Sequence, residues 1–438
     1  MNRTGVLLAL VLLSSSSRGG EPDPLDGWWQ WRGPLASGEA PRGKPPIKWD
    51  EKTNIAWKVA LPGRGSSTPI VVGNRVFVLA AEDTGRKADA KDLPKPDPRF
   101  KTKTNPPQTY YRFLVLCLDR KTGRVIWQRT AAEKVPHEGH HDTHSYAAYS
   151  PVTDGKRLYV HFGSFGVFCY DLEGKPLWQR DLGRMHTRLG WGEGGSPAIH
   201  DGRLFLNRDQ ESESALYALD ARTGETLWKA DRDEVTTWAA PLPVTWKGTT
   251  QVILPATKKI RSYDASNGKV LWERGGMTVN CIPSAVSRDG VAWIMSGYRG
   301  AAAVAISLDS RGDVTGKTLW TLDRGTPYVP SPLLVGGRLY FTQMNEPVLT
   351  CVDARTGKVL IDRARLGPLR TLYASPAAAA GRIYLSDRNG TTLVFKQADT
   401  LEVLAVNRLD ESIDASPAIA GTQLFLRGAS HLYCIEEK

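Results

Sequence analysis

The sequence has few cysteines, and none of them is placed for a familiar cysteine chemistry. Its 438 residues contain five cysteines, with no adjacent pair and no Cys-x-x-Cys. Four stand in similar apolar stretches, as in VFCYD and LTCVD. A buried strand position that accepts a small apolar side chain explains this better than a disulfide framework. We therefore predict free, buried thiols at Cys117, Cys169, Cys281, Cys351 and Cys434.

Motifs for several enzyme classes are also missing. The chain has no G-x-S-x-G elbow, no Walker loop and no G-x-G-x-x-G, so serine hydrolysis on an α/β-hydrolase fold and nucleotide chemistry have no support. The formal net charge is +11, but most of the lysines and arginines are dispersed along the chain. We therefore expect no nucleic-acid partner, since such binding needs a clustered basic footprint.

Long apolar runs are absent apart from one short stretch near the start. Arg3 precedes the apolar residues 5–13, and a Ser/Gly-rich segment follows them. This pattern predicts a signal peptide over residues 1–20, because the apolar core is too short to span a membrane. No cysteine follows the core, so we expect no lipid anchor. The prediction is a periplasmic or secreted protein without a membrane span.

What the sequence does contain is a repeat. Stretches such as DRKTGRVIW (119–127), DARTGETLW (220–228) and DASNGKVLW (264–272) alternate with a Ser-Pro or small-residue step. From Pro151 onward this step recurs every 41 to 48 residues. Each unit has four short strand patterns, and periods in the forties with four strands are typical of a β-propeller.

The two ends of the repeat fix the predicted number of blades. The last unit has only three strands, whereas residues 54–63 form an orphan fourth strand that contains Trp57. Joining them completes a blade and removes two sheet edges. We predict an all-β, eight-bladed propeller of four-stranded antiparallel blades over residues 49–438, preceded by a lead-in segment over residues 21–48. Seven blades is the alternative.

One insertion interrupts the first blade. Residues 85–108 are rich in Pro and Lys and have no apolar periodicity. This composition predicts a mobile, basic surface loop. An arm that binds a partner is the alternative reading.

The run VPHEGHHDTHSY (135–146) contains H-E-x-x-H, the zinc-protease pattern. Pro136 and Gly139 disfavour the helix that this pattern needs, so we reject a zinc protease. A loop can still bind zinc, copper or nickel through imidazoles. The metal candidates are His137, His140, His141 and His144, although a solvated polar loop is the preferred interpretation.

Residues just before each first strand are expected to face the central funnel, where propellers bind ligands. These positions are rich in aromatic and polar groups, which would suit a sugar, a peptide or an anionic small molecule. The predicted ligand-binding residues are His144, Tyr146, Arg188, Trp191, Glu193, Trp238, Asn280, Tyr328, Arg370, Tyr373 and Asp414. No residue is predicted to be catalytic. The turn SDRNGTT (386–392) is predicted to be structural.

With these repeats, the chain resembles the PQQ-binding-like β-propeller proteins, the quinoprotein-type repeat family that includes the assembly factor BamB. DARTGKVL and DARTGETLW are close to the family's repeat signature. Further stretches, such as WQWRGP (29–34) and RDEVTTWAAPL (232–242), resemble a secreted bacterial subgroup common in planctomycete-like genomes. The resemblance implies the fold and says little about activity.

Three functions follow from this resemblance. The preferred one is an exported, non-catalytic, monomeric scaffold that binds a protein, a glycan or a small molecule. The second is BamB-like assembly of outer-membrane proteins. The third is a dehydrogenase that uses pyrroloquinoline quinone with Ca²⁺, but quinoprotein dehydrogenases carry adjacent cysteines and many carry a haem motif, Cys-x-x-Cys-His. Neither motif is present, so we expect no cofactor.

Overall fold

Short strands make up almost all of the regular structure. A computed structural model describes residues 23–95 and 97–437, so the predicted signal peptide lies outside the described residues. Within these ranges the strands form eight sheets, and the helical elements are two 3-10 turns, Pro24–Asp26 and Gly163–Phe165. None of the described helices is long and apolar enough to cross a membrane. The predicted eight-bladed propeller is confirmed.

Each of the first four blades is built from four consecutive strands that pair in antiparallel order. Blade 1 contains β2 (Ile70–Val72), β3 (Arg75–Lys87), β4 (Thr109–Asp119) and β5 (Val125–Lys134). Blade 2 contains β6 (Val152–Thr153), β7 (Arg157–His161), β8 (Val167–Asp171) and β9 (Pro176–Arg180). Blade 3 contains β10 (Ala198–His200), β11 (Arg203–Arg208), β12 (Ser214–Asp220) and β13 (Thr226–Arg232). Blade 4 contains β14 (Leu242–Trp246), β15 (Thr249–Leu254), β16 (Lys259–Asp264) and β17 (Val270–Gly275).

The last four blades follow the same plan with two irregularities. Blade 5 contains β18 (Val286–Arg288), β19 (Val291–Ser296), β20 (Ala302–Ser307) and β22 (Trp320–Leu322), with β21 (Gly312–Asp313) between the last two. Blade 6 contains β23 (Leu333–Val335), β24 (Arg338–Thr342), β25 (Val348–Asp353) and β26 (Val359–Arg365). Blade 7 contains β27 (Ala377–Ala379), β28 (Arg382–Ser386), β29 (Thr391–Lys396) and β30 (Val403–Arg408). Blade 8 contains β31 (Ala418–Ala420), β32 (Gln423–Arg427), β33 (His431–Ile435) and β1 (Ile55–Ala60).

Blade 8 closes the ring as the sequence predicts. Strand β1 pairs antiparallel with β33, and Val59 lies opposite Leu432. A strand from the start of the described chain therefore completes the sheet formed by its end. The closure removes two sheet edges that would otherwise be open to aggregation.

The repeated D-x-x-T-G-x-x-x-W motif forms the contact between blades. In its first copy, Asp119 Oδ1 accepts hydrogen bonds from the backbone N–H and the hydroxyl of Thr122, both at 2.8 Å. The indole of Trp127 donates to the Leu172 carbonyl of the next blade at 3.0 Å. A Cβ at Gly174 would lie 2.6 Å from this indole, so a glycine is required there. The same indole-to-carbonyl bond recurs at Trp57, Trp178, Trp228 and Trp320.

Blade 4 departs from the predicted four strands. Strand β21 comes from the longer connection of blade 5 and pairs in parallel with β17, where Trp272 lies opposite Gly312. The added strand covers the outer edge of the blade, and Trp272 is fully buried. Its indole bonds Gln251 of its own blade at 2.9 Å instead of a neighbouring carbonyl.

The Ser-Pro step joins the innermost strands of neighbouring blades. The Ser150 hydroxyl accepts the backbone N–H of Thr68, and the Ser196 hydroxyl accepts that of Ser150, both at 2.9 Å. The same bond recurs at Ser284, Ser331, Ser375 and Ser416. These hydroxyls fix the spacing of the first strands around the central channel.

The lead-in segment closes one end of this channel. We call residues 24–47 the plug segment. Its backbone bridges to Val71 of β2 and Ala378 of β27, and its Ser37 carbonyl accepts from Leu334 of β23. In each of these strands the contact lies C-terminal to the Ser-Pro step. The plug segment therefore fills the end of the channel that is opposite to the Ser-Pro steps.

Arg32 anchors the plug segment. Its side chain is 4% exposed and donates to the carbonyls of Pro332 and Pro376, each at 3.0 Å, and more weakly to that of Ser37. Burial lowers the pKa of Arg32 to about 9. The prolines belong to the Ser-Pro steps of blades 6 and 7, so one side chain ties the plug segment to two blades.

The insertion in blade 1 contacts the loop between blades 2 and 3. Strand β3 continues to Lys87, and residues 100–104 lie against the loop between blades 2 and 3. Thr102 forms a backbone bridge with Leu189, and the Thr104 hydroxyl donates to the Gly190 carbonyl at 2.6 Å. Composition predicts a polar surface segment, but it carries no signal for these backbone contacts.

The five cysteines are free and buried, as predicted. Burial raises the pKa of the Cys117 and Cys169 thiols to about 12. Thiols with such high pKa values stay protonated and unreactive at neutral pH.

Candidate functional site

A cavity of about 420 Å³ lies at the open end of the channel, among the loops that precede the first strands. We call it the funnel cavity. Trp31 of the plug segment contributes to its lining from the closed end. The lining residues are Trp31, Ser66, His141, Thr143, His144, Ala148, Trp191, Gly194, Gly195, Ser196, Trp238, Ile282, Tyr298, Tyr328, Val329, Tyr373, Asp414 and Ser416.

Six aromatic rings dominate the lining of the funnel cavity, and several are held in place by their own contacts. The Trp238 indole donates to the Gly192 carbonyl at 2.8 Å, which fixes the plane of that ring. Tyr298 and Tyr328 stack with ring centroids 4.5 Å apart. Within the described part of the chain, the hydroxyls of Tyr298 and Tyr373 have no hydrogen-bond partner. The funnel cavity therefore combines fixed aromatic surfaces with uncommitted hydroxyl groups.

The charges at the funnel cavity are paired or absent. Asp414, the one carboxylate among its lining residues, receives two hydrogen bonds from the Arg388 guanidinium, at 2.6 and 3.1 Å. That guanidinium lies 4.6 Å above the Tyr373 ring. Burial raises the pKa of Asp414, and the bond from Arg388 opposes the rise. No lysine or arginine is among the lining residues.

His144 is a neutral group at neutral pH. Burial, followed by the nearby His140 and His141, lowers the pKa of His144 to about 3. Its Nδ1 accepts the backbone N–H of Ser145 at 2.8 Å, so the proton of the neutral ring resides on Nε2. The funnel cavity is therefore close to neutral overall.

The structure places six of the eleven predicted ligand-binding residues in the lining of the funnel cavity. They are His144, Trp191, Trp238, Tyr328, Tyr373 and Asp414. The other five do not line it. They are Tyr146, Arg188, Glu193, Asn280 and Arg370.

Tyr146 and Glu193 point into the space between blade 2 and its neighbours instead. The Tyr146 hydroxyl donates to the Glu138 carbonyl at 3.0 Å. Glu193 accepts from the backbone N–H and the hydroxyl of Ser164, at 2.7 and 2.6 Å. Both residues line a separate cavity of about 20 Å³, which we call the small cavity. Burial raises the pKa of Glu193.

The remaining three predicted ligand-binding residues lie outside the lining of the funnel cavity. They are Asn280, Arg188 and Arg370. Asn280 is buried and contacts the Tyr328 hydroxyl at 3.4 Å, so it supports a lining residue. The backbone N–H of Arg188 donates to the Thr236 hydroxyl, and its Nε is buried. Arg370 is exposed, and its backbone N–H donates to the buried Asp387, which confirms that the 386–392 turn has a structural role.

The histidine-rich run is a loop, as predicted from Pro136 and Gly139. Its four metal candidates do not converge within the described residues. His140 packs edge-on against Tyr146, and His141 Nδ1 bonds the Thr143 hydroxyl. Only His137 of the four joins a cluster of potential ligands, together with Glu138 and His186. His186 was missed because it lies 49 residues away in sequence.

Sequence reasoning also missed several residues of the funnel cavity. Trp31 reaches it from the plug segment, and Tyr298 follows strand β19 rather than preceding a first strand. The positional rule that nominated the other aromatics covers neither case. The unusual density of tryptophan in WWQW (28–31) was the available signal for the first.

Comparison with known proteins agrees with this architecture. The family model described as outer membrane protein assembly factor BamB matches residues 112–360 and 313–438. The chain belongs to this family of PQQ-like β-propellers.

Curated members of the BamB family are distant relatives. The chain is 27% identical over 192 residues to BamB from Alkalilimnicola ehrlichii, covering 41% of this chain and 36% of that protein. It is 25% identical over 271 residues to BamB from Yersinia pestis, covering 57% of this chain and 64% of that protein. It is 24% identical over 247 residues to a polyvinylalcohol dehydrogenase of Pseudomonas, covering 51% and 30%. The chain therefore spans less than two thirds of the length of these relatives.

Solved structures share the fold. BamB from Moraxella catarrhalis superposes with a TM-score of 0.57 at 11% identity, covering 87% of this chain and 99% of that one. Quinohemoprotein alcohol dehydrogenase from Comamonas testosteroni superposes with a TM-score of 0.63 at 11% identity, covering 96% and 82%. At these identities the similarity establishes the propeller alone.

Proposed function

We propose that this BamB-family propeller is a non-catalytic binding protein whose funnel cavity takes an uncharged, polyhydroxylated ring, such as a sugar unit of a glycan. The observation that carries the proposal is the funnel cavity itself. It is closed at one end by the plug segment and lined by six aromatic rings, with its single carboxylate already paired. Its volume lies within the range of about 300–1,000 Å³ that is usual for small-molecule sites.

The chemistry of the lining favours a sugar over an ion. Fixed aromatic faces offer apolar surface to the C–H face of a sugar ring. The free hydroxyls of Tyr298 and Tyr373 and the imidazole of His141 can exchange hydrogen bonds with the ring's hydroxyl groups. Because no group in the lining is both charged and unpaired, a charged ligand would lose its hydration without gaining a counter-charge.

For the same reason the funnel cavity does not fit pyrroloquinoline quinone, which is anionic and is bound together with Ca²⁺ in the quinoprotein alternative. Calcium needs several free oxygen ligands, and Asp414 is engaged by Arg388. The five cysteines are buried in other places and none of them lines the funnel cavity. We therefore derive no dehydrogenase chemistry for this chain.

Location outside the cytoplasm is part of the proposal. It is supported by the signal-peptide pattern of residues 1–20 and by the similarity to two proteins named outer membrane protein assembly factor BamB. The same family match favours a second candidate function, assistance in outer-membrane protein assembly. Deleting the gene should then lower the amounts of outer-membrane proteins, measured by quantitative mass spectrometry of that membrane.

Calorimetric titration of the purified mature protein tests the first proposal. The probes are chitotetraose, cellotetraose and pyrroloquinoline quinone with Ca²⁺. We expect one-to-one binding of at least one oligosaccharide with a dissociation constant on the order of 1–100 µM, and no heat from the quinone. One-to-one binding of the quinone at micromolar concentration, with no heat from either sugar at millimolar concentration, would overturn it.

A further inference from the structure

A second cluster of chemically active side chains lies beside the small cavity, apart from the funnel cavity. His137 and Glu138 come from the loop after blade 1, and His186 comes from the loop after blade 2. Potential ligand atoms of these three residues all lie within 4.8 Å of one another. We call them the His137 cluster. Because they come from two different loops, any ion held between them would also join two blades.

The outer contacts of the cluster hold its members in fixed orientations. His137 Nε2 lies 2.7 Å from the Met185 carbonyl, which can only accept, so Nε2 carries the proton and Nδ1 is left with a lone pair. One oxygen of Glu138 accepts from the backbone N–H and the hydroxyl of Thr187, at 3.0 and 2.9 Å. Such carbonyl and hydroxyl contacts are the usual outer shell of metal ligands.

The second oxygen of Glu138 lies beside His186. Its distance to His186 Nδ1 is 3.0 Å. Two ligands of one tetrahedral zinc ion, each about 2.0–2.1 Å from the metal, lie roughly 3.3 Å apart. The pair is thus already spaced nearly as a metal would space it. Glu138 is 8% exposed, and no lysine or arginine forms an ion pair with it in the described part of the chain.

The small cavity supplies a second, independent observation. Its volume of about 20 Å³ is enough for one water molecule, and His137, Glu138 and Tyr149 are among the residues that line it. The Tyr149 side chain is 2% exposed, and its hydroxyl has no hydrogen-bond partner among the described residues. A buried hydroxyl without a partner is rare, because it loses its hydration without compensation. A water molecule in this cavity would give the hydroxyl its partner.

We propose that the His137 cluster binds one divalent transition-metal ion of the zinc class, with a water molecule in the small cavity as a further ligand. Two imidazoles and one carboxylate form a ligand set typical of zinc, whereas Ca²⁺ and Mg²⁺ prefer sites in which all ligand atoms are oxygen. The site fastens the loops of blades 1 and 2 to each other. It is independent of the proposed function of the funnel cavity.

The insertion protects this site. Phe100 stacks on the His186 ring with centroids 4.0 Å apart and an angle of 12° between the planes. The Phe100 ring therefore covers one face of the His186 imidazole and does not occupy the ring edge, where Nδ1 faces Glu138. This contact gives the docked insertion a role that its composition does not reveal.

Metal titration of the EDTA-treated, dialysed full mature protein tests the proposal. Zn²⁺ is titrated by calorimetry, and Co²⁺ is titrated while its visible absorption is recorded. We expect one equivalent of Zn²⁺ to bind with a dissociation constant on the order of 1 µM or tighter. Co²⁺ should give the intense visible bands of a four- or five-coordinate site with nitrogen and oxygen ligands. If neither metal binds when its free concentration is 100 times this dissociation constant, the proposal is overturned.

Variants locate the site. His137→Gln and His186→Gln should each weaken Zn²⁺ binding about 100-fold or more, because each removes one ligand. His200→Gln is the matched control, since it changes a histidine of blade 3 that lies outside the cluster and both cavities, and the affinity of this variant for Zn²⁺ should equal that of wild type. Unchanged affinity in both cluster variants, or loss in the control, would place any bound metal elsewhere and overturn the proposal. Circular dichroism of the metal-free variants verifies that they fold.

Discussion

The two ends of the central channel are built from the same eight first strands, yet they differ in what fills them. At the closed end, the plug segment pairs its backbone with four strands, and Arg32 donates to three carbonyls. At the open end, six aromatic rings surround a cavity of about 420 Å³, and two tyrosine hydroxyls have no partner in the described chain. Backbone and guanidinium hydrogen bonds to the blades dominate the closed end, whereas aromatic rings and two hydroxyls without a partner line the open end, where we propose that a ligand binds.

The comparison also separates stability from binding. Substitution of the anchoring residue Arg32 in the plug segment should change the free energy of unfolding and leave the aromatic lining intact. Substitutions in the lining should change affinity and cost little stability, because these side chains remain partly exposed to the funnel cavity.

Replacing Arg32 should give the largest loss of stability. Arg32→Ala leaves the Pro332, Pro376 and Ser37 carbonyls without their donor in a buried place, and each unpaired buried acceptor costs about 1–3 kcal/mol. We expect a decrease of roughly 2–4 kcal/mol in the free energy of unfolding, measured by urea denaturation. Arg42→Ala is the matched control, because Arg42 belongs to the same segment and forms only exposed ion pairs. Equal losses in the two variants would contradict the anchoring role of Arg32.

Acid should weaken blade 2 at the open end of the channel, because its strand β7 ends in the buried His161. His161 is fully buried and packs on Tyr149, and burial, with a smaller effect of Arg208, lowers its pKa to about 3. Below pH 6.5 the unfolded chain binds a proton that the folded chain does not, so stability is lost as the pH falls from about 6.5 towards 3. Between pH 7 and pH 5 this residue alone should cost about 2 kcal/mol.

His161→Phe isolates that contribution. The variant keeps an aromatic ring against Tyr149 and removes the titrating group, so its free energy of unfolding should depend less on pH than that of wild type. The difference should be about 2 kcal/mol between pH 7 and pH 5, measured by urea denaturation at both values. Parallel pH curves for the two proteins would show that folding does not lower the pKa of His161.

Breaking the Arg388–Asp414 pair should have an intermediate effect. Arg388→Gln leaves the partly buried Asp414 carboxylate without its cation, which should cost about 1–2 kcal/mol and place a negative charge at the funnel cavity. The double variant Arg388→Gln/Asp414→Asn should recover most of the lost stability, since no unpaired charge is left. A double variant less stable than Arg388→Gln alone would contradict this explanation.

The smallest effect on stability is expected at Tyr373. Its hydroxyl has no partner in the described chain, so Tyr373→Phe should change the free energy of unfolding by less than about 0.5 kcal/mol. The same change should weaken oligosaccharide binding about 3- to 10-fold, which corresponds to one lost hydrogen bond. Thermal unfolding and calorimetry on the same sample measure both quantities. A large loss of stability with no change in affinity would show that Tyr373 stabilises the fold, and would contradict the assignment of the open end to ligand binding.

The sequence predicts the fold well because each repeat carries its own local signals. The D-x-x-T-G turn, the tryptophan that docks on the next blade and the orphan strand with Trp57 are all visible within a few residues. Contacts between distant segments are not. Trp31 reaches the funnel cavity and Arg32 binds Pro332, 300 residues away, through geometry that no local pattern encodes.

The predicted residues line the funnel cavity where position along the repeat decides the orientation of the side chain. Trp191, Trp238 and Tyr328 line the funnel cavity because they precede first strands. Tyr146 and Glu193 share this position but find hydrogen-bond partners away from the channel, at Glu138 and Ser164. A competing polar partner in the tertiary structure can thus turn a side chain away, and a sequence pattern does not contain that information.

Trp238 gives the most direct test that the open end is the ligand site. Calorimetry should compare the affinity of wild type, Trp238→Leu and Trp228→Phe for the oligosaccharide that binds best. Trp238 lines the funnel cavity, whereas Trp228 donates its indole N–H to Ala265 at the contact between blades. We predict at least about a 10-fold loss for Trp238→Leu, or 1.4 kcal/mol, and an unchanged value for Trp228→Phe. Wild-type affinity in Trp238→Leu would contradict the central claim.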